Sequence, residues 1–237
     1  MIKVLASGSS GNCYIIQAGE EKLLLECGID YRKILKGLDY SIKGVVGCLI
    51  THKHSDHCKS FKWALENISK VCAPLEVLEK FKCKNLHKSK ITQNKDMFRL
   101  GGFTIMPFSC QHTNSDTSPC ENLGYLIQHK DIGKVLFATD TYYLKYKFKD
   151  IDHILIECNY SEETIEALEP YEQRVFKSHM SLETLKETLK TWDLTKTKDI
   201  TLIHLSQNNG EPERFKKEIE ALTGIPTYIA LPGLEIS

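Results

Sequence analysis

Short apolar runs separated by polar, glycine-containing turns open the chain. Lys3–Leu5, Cys13–Gln17 and Lys22–Glu26 read as strands, Tyr31–Leu38 as a helix, and Val45–Ile50 as a buried strand. A helix is expected from about Lys59 to Ser69, after which the stretch from 71 to 100 is mixed and rich in lysine. A second series then begins, with strands at Phe103–Phe108, Gly124–His129, Val135–Ala138 and His153–Glu157. Helices near Glu162–Glu169 and Leu182–Thr191, a strand at Ile200–Leu205, a helix at Pro212–Leu222 and a strand near Thr227–Ala230 complete it. Element order is similar in the two halves, and no linker or low-complexity segment divides them. The pattern implies two β-rich halves packed as one α/β domain over residues 1–237.

Composition narrows this only a little. The chain has 237 residues, 41% hydrophobic and 26% charged, as in ordinary globular proteins. No apolar run has the length to span a bilayer. Met1–Leu5 enters a strand pattern directly, without a signal-peptide layout. The nine cysteines form no CxxC pair and several lie in apolar stretches, which fits reduced thiols and a cytoplasmic protein, bacterial or in a host cell if phage-encoded. Lys+Arg and Asp+Glu are both 31, and arginine occurs only at 32, 99, 174 and 214. A grip on long nucleic acid usually needs a basic excess or face. Lys145, Lys147 and Lys149, and Lys82, Lys84, Lys88 and Lys90, are local clusters that read more simply as solvated faces.

Chemistry concentrates at His52-Lys53-His54-Ser55-Asp56-His57, an HxHxDH run just past the Val45–Ile50 strand. Imidazole nitrogen and carboxylate oxygen are donors for zinc and its first-row neighbours. The end of a strand in an α/β protein is a common place for them. His112 follows Phe103–Phe108 after a short bend, Asp140 follows an apolar strand, His204 ends another, and His179 precedes a helix. His87, His129 and His153 read as surface or satisfied core residues.

In this order and rough spacing, His52, His54, Asp56, His57, His112, Asp140 and His204 resemble the metallo-β-lactamase superfamily over nearly the whole chain. The resemblance implies an αββα sandwich with a dinuclear site at one edge. It assigns one divalent ion to His52, His54 and His112, the other to Asp56, His57 and His204, and the bridge to Asp140. Zinc is expected, with manganese as an option. Asp140 stands where lactamases of the best-known class carry cysteine, and His54 where the diiron flavoproteins carry glutamate. A hydrolase remains: phosphodiesterase or nuclease, thioesterase, or lactonase.

The Ser7–Asn12 turn and Thr139-Asp140-Thr141 resemble the single-domain YycJ-type branch, and His179 resembles the additional histidine of the tRNase Z group. Ser181 is a good N-cap for a helix with apolar spacing at Leu182, Leu185 and Leu189, and a helix start can hold a phosphate oxygen. His179 beside it would stabilise the transition state or protonate the leaving oxygen; the plainer alternative is a capping or core histidine. Asp56, Asp140 and His179 are thus the catalytic candidates. Gly8 and Gly11 read as tight-turn residues, with Ser9, Ser10 and Asn12 possible site-lining groups. Glu26 stands where the branch has aspartate and is not counted as a ligand. The polar stretch 113–122 is either a lid, a loop given to a partner subunit, or a plain surface loop.

The substrate expectation is a small phosphodiester, foremost a 3′,5′-cyclic nucleotide as for the anti-Pycsar phosphodiesterases, with a role in evading cyclic-nucleotide antiphage signalling. Balanced charge suits a compact substrate. The alternative is a YycJ-like DNA or RNA exonuclease, with thioester or lactone hydrolysis behind it. A homodimer is what the resemblance implies.

Overall fold

The computed structural model describes residues 1–85, 87–165 and 178–237. Among these, one sheet comprises β1 (Ile2–Ala6), β2 (Cys13–Ala18), β3 (Glu21–Leu25), β4 (Val45–Leu49), β5 (Val71–Ala73) and β6 (Ser89–Ile91), with β14 (Glu235–Ile236) returning against β1. The other comprises β7 (Phe98–Leu100), β8 (Phe103–Thr113), β9 (Pro119–His129), β10 (Gly133–Ala138), β11 (His153–Glu157), β12 (Asp199–Ile203) and β13 (Thr227–Ile229) in sequential order. Strands β3 to β6 are parallel, as are β10 to β13, while β7 to β10 form an antiparallel meander.

The strands alternate between two buried surfaces, which is why they read as almost continuous apolar runs. Tyr14 and Ile16 of β2 face the core between the sheets with Leu23, Phe103, Tyr125 and Phe137. Cys13 and Ile15 face outwards, under α1 (Tyr31–Gly37), α3 (Phe61–Asn67) and α4 (Leu75–Lys80), through Ile34, Phe61 and Val77. On the other sheet, α6 (Leu182–Lys190) and α7 (Pro212–Thr223) bury Leu182, Leu185, Leu189, Phe215 and Ile219 against Ile154 and Leu202. The layers are therefore helix, sheet, sheet, helix: the expected αββα sandwich. Among the described residues no helix is long and apolar enough to cross a membrane.

Several element boundaries differ from the sequence reading. Strand β8 runs through Thr113, so His112 lies within a strand and not beyond a bend. Its burial alternates at Phe103, Ile105, Cys110 and His112, and β9 starts opposite at Pro119, so 113–122 is mostly hairpin. The helix expected at 59–69 is α3 alone, and a separate short α2 (Ser55–Cys58) precedes it within the HxHxDH run. The lysine-rich region holds β5, α4, β6 and β7. Helix α5 (Glu162–Ile165) starts as expected, and residues 166–169 of that prediction lie outside the described residues.

Candidate metal centre

The parallel strands point their C-terminal ends at one pole. Chain leaving β4 supplies His52, His54, Asp56 and His57, β10 leads to Asp140, β11 ends on Glu157, and β12 leads to His204. Glu26, Asp140 and His204 have φ of 65°, 50° and 53°, a conformation non-glycine residues adopt at a cost and which clusters at functional sites. Asn122 holds the Asp140 turn by donating to Thr139 O at 3.0 Å and Asp140 O at 2.7 Å. Ser7 Oγ accepts from His204 N at 2.8 Å.

The glycine-serine turn supports the ligand loop from below. Asn12 N donates to Asp56 O at 2.8 Å and Gly28 N to Asn12 O at 2.9 Å. A Cβ at Gly28 would lie 1.6 Å from Asp56 O, so only glycine permits this approach. Asn12 is fully buried and Ser10 exposed, leaving Ser9 as the turn residue that lines the cavity.

Three donor sets meet at Asp140; one joins it to Glu157, His179 and His204, and the other two match the expected ligands. The possible ligand atoms of His52, His54, His112 and Asp140 lie within 4.8 Å of one another, as do those of Asp56, His57, Asp140 and His204. Asp140 Oδ2 is 3.8 Å from His52 Nε2 and 3.9 Å from His112 Nε2. Its Oδ1 is 3.2 Å from His57 Nε2 and 3.6 Å from His204 Nε2. Asp56 Oδ2 stands 3.3 Å from His57 Nε2 and 3.6 Å from His204 Nε2. His52 Nε2 and His204 Nε2 are buried without a hydrogen-bond partner. Unpaired buried nitrogens facing shared carboxylate oxygens are what divalent ions would satisfy, so the donors fit the group.

The second ring nitrogens are held from behind, as ligand histidines require. His52 Nδ1 meets Thr51 Oγ1 at 2.9 Å, His112 Nδ1 donates to Ser178 O at 2.8 Å, and His204 Nδ1 lies 3.1 Å from Glu157 Oε1. His57 Nδ1 is 3.3 Å from Glu26 Oε1, an ion-pair distance without hydrogen-bond alignment. Glu26 also accepts from Thr51 N, so it sits behind the ligands rather than among them. Burial raises the Glu26 carboxyl above its usual range although His57 opposes it.

The two sets differ in charge. Burial, with the neighbouring His57, keeps the His52 imidazolium well below its ordinary value, and burial lowers His54 as well as His112, the latter to about 4. Burial would lower His57 and His204 too, but the carboxylates around them reverse it. Asp140 and Glu26 raise His57 well above the ordinary value, and Asp140, Asp56 and Glu157 raise His204 to about 10. Burial likewise works against ionisation of Asp56 and Asp140, and the facing histidines outweigh it, so both stay below the usual carboxylate range.

Glu157 is a site residue the sequence reading missed. It is fully buried and accepts from His179 Nδ1 at 2.7 Å, Thr141 N at 2.8 Å and Met180 N at 3.2 Å, besides facing His204. His179 stacks on His204 with rings 13° apart and is partly exposed, so its Nε2 is the nitrogen left for the cavity. Ser181 caps α6 as expected, accepting from Thr184 N at 3.0 Å. Part of that helix start is already engaged, however: Leu182 N donates to Tyr160 O, and Ser181 Oγ donates to the Glu162 carboxylate. His179 reaches the site without the helix terminus.

A cavity of about 420 Å³ opens over the centre, lined by His54, Asp56, His112, Asp140, His179 and His204, with Ser9, Asn114 and Ser115 at its edge. A larger hollow of about 720 Å³ lies between residues 143–147 and α6, away from both donor sets. His153 pairs with Asp199 at 2.7 Å and His129 with Glu21 at 3.6 Å, both structural, and His87 is exposed.

The comparisons with known proteins agree with this geometry. A match to the beta-lactamase superfamily domain spans residues 21–205, which include both donor sets. The chain belongs to that superfamily. It is 27% identical over 231 residues to exodeoxyribonuclease YycJ of Bacillus anthracis, covering 91% of this chain and 86% of that one. It is 27% identical over 232 residues to exodeoxyribonuclease WalJ of Streptococcus pneumoniae, covering 89% and 83%. Among solved structures, the metallo-beta-lactamase fold protein YhfI from Bacillus subtilis superposes with a TM-score of 0.72 at 17% identity, covering 98% of this chain and 97% of that one.

Proposed function

We propose that this chain is a dinuclear metal-dependent phosphodiesterase. His52, His54 and His112 would hold one divalent ion, Asp56, His57 and His204 the other, and Asp140 would bridge, with zinc or manganese as the metal. The observation that carries this is the division of Asp140, whose Oδ2 faces the first set and Oδ1 the second. Two such ions supply an activated water and neutralise charge on phosphoryl oxygens. His179, its Nδ1 fixed by Glu157, presents Nε2 towards a leaving oxygen as the proton donor. Thioester or lactone hydrolysis leaves this Glu157–His179 pair without a task.

The substrate proposed is a small phosphodiester, foremost a 3′,5′-cyclic nucleotide, which would suit evasion of cyclic-nucleotide antiphage signalling. The cavity of about 420 Å³ has the size of a small-ligand site, and no Lys or Arg stands among its described lining residues. A second reading, exonucleolytic cleavage of DNA, is favoured by the two exodeoxyribonucleases that match along most of their length. Lys145, Lys147, Lys186 and Lys190 line the larger hollow, yet Glu162, Glu183 and Glu187 line it too. A homodimer, carried by the resemblance, and a cytoplasmic location, which the free thiols suit, go with either reading. The test is to load the protein with zinc or manganese and rank rates on cyclic mononucleotides, single-stranded DNA, RNA and a nitrophenyl phosphodiester. Faster cleavage of DNA or RNA than of every cyclic nucleotide would sink the small-substrate reading, and polymer cleavage should weaken steeply with salt.

A further inference from the structure

The β8–β9 hairpin ends in Thr113-Asn114-Ser115-Asp116-Thr117-Ser118, a tip that braces itself. Asn114 N donates to Ser118 O at 2.8 Å, Thr117 N to Asn114 O at 2.9 Å, and Ser118 N to Asp116 Oδ1 at 3.0 Å. Within it, the Asn114 side chain has one permitted orientation. Its Nδ2 donates to Pro119 O at 3.0 Å, to Ser118 Oγ at 2.9 Å and to Ser118 O at 3.4 Å. Two of those partners are carbonyls, which only accept, so the amide nitrogen must lie on that side. The opposite atom, Oδ1, stands 3.3 Å from His54 Nε2. An amide oxygen also only accepts, so the hydrogen there belongs to Nε2. A neutral imidazole with its hydrogen on Nε2 has a bare Nδ1. His54 Nδ1 lies 3.1 Å from His112 Nε2, and His112 Nδ1 donates to Ser178 O. With hydrogen on His54 Nε2 the two facing nitrogens are therefore both acceptors, which a shared cation satisfies and a hydrogen bond between the rings does not.

We propose that Asn114 is a positioning residue that sets the tautomer and ring orientation of His54, turning Nδ1 towards the first metal position. The other candidate ligand histidines are braced by residues at strand ends and the framework behind them: Thr51, Ser178, Glu26 and Glu157. His54 is braced from a hairpin tip, and the same tip forms part of the cavity's rim through Asn114 and Ser115. The tip is thus neither a plain surface loop nor a free lid; its position and the grip on one ion are linked. This inference rests on the dinuclear reading above for the ion, but not for the tautomer.

The tautomer is read on the unaltered, metal-free chain by nitrogen-15 NMR of the histidine rings, and the result expected is a hydrogen on His54 Nε2. Competition with a chelator then compares ion uptake by the parent and by Asn114→Ala. One of the two ions should bind about 10- to 100-fold more weakly in the variant, the range for losing a partner behind a ligand histidine, while the other changes by less than about twofold. Hydrogen on Nδ1 in the parent, or two unchanged affinities in Asn114→Ala, overturns the proposal. The NMR result stands whether or not the variant folds. A parent that takes up only one ion defeats the dinuclear reading, and the ring hydrogen still decides this one.

Discussion

The two halves of the centre share Asp140 and are poised in opposite ways. Around His52, His54 and His112 the backing groups are a hydroxyl, an amide and a carbonyl, and burial leaves these rings neutral. Around His57 and His204 the backing groups are Glu26 and Glu157, with Asp56 and Asp140 in front, and these carboxylates raise both rings above their ordinary value. A proton therefore competes with a cation more strongly in the second half than in the first. Asp140 belongs to both, and its own carboxylate is stabilised against burial chiefly by His204 and His57.

The most severe way to break this comparison is to remove what the halves share. Asp140→Ala should abolish metal-dependent turnover, leaving only the uncatalysed background. Full activity with unchanged metal content would remove the bridging assignment. Next in size are the two members of the proton-donor pair, which should separate. His179→Ala should lower kcat by roughly 10²- to 10³-fold, in the range for a lost general acid, with both ions retained. Glu157→Gln should lower turnover and also weaken the ion at the His204 half, because Glu157 braces both rings. Equal metal affinity in Glu157→Gln and the parent would show that the carboxylate serves His179 alone.

The mildest test uses pH on the metal-free protein. His204 moves from 6.5 in the ordinary state to about 10 in the fold, raised by Asp140, Asp56 and Glu157 against the effect of burial. A group whose folded value is the higher one stabilises the fold fully below its unfolded value. That contribution is lost as pH rises through the folded one. The denaturant midpoint of the metal-free chain should therefore fall between about pH 6.5 and pH 10. The loaded chain, whose ions take the place of those protons, should lose less. Equal slopes for the two forms would contradict the charge contrast between the halves.

Much of the centre was legible in the sequence because strand ends are legible. The HxHxDH run, Asp140 and His204 all follow apolar runs that read as buried strands, and parallel strands send such ends to one pole. His112 stands out in the sequence as a candidate but is misplaced there, since polar alternation at 109–113 reads as a bend, whereas in the hairpin it is a continued strand with His112 facing in. Glu157 carried a signal that went unread: it is an acid at the end of His153–Glu157, a strand buried at every position, next to the strand leading to His204. Asn114 had no such signal. Its role depends on a carbonyl at 119 and a ring sixty residues away, which only the fold brings together. The helix start at Ser181 shows the converse, a correct local reading some of whose donors are used inside the protein.

The central claim, that both halves must be filled for phosphodiester hydrolysis, is tested most directly by titrating the metal-free protein with manganese or zinc. Cleavage of a nitrophenyl phosphodiester is followed at each step. Activity should stay near background through the first equivalent and rise with the second. Full activity at one equivalent, or none at two, would contradict it.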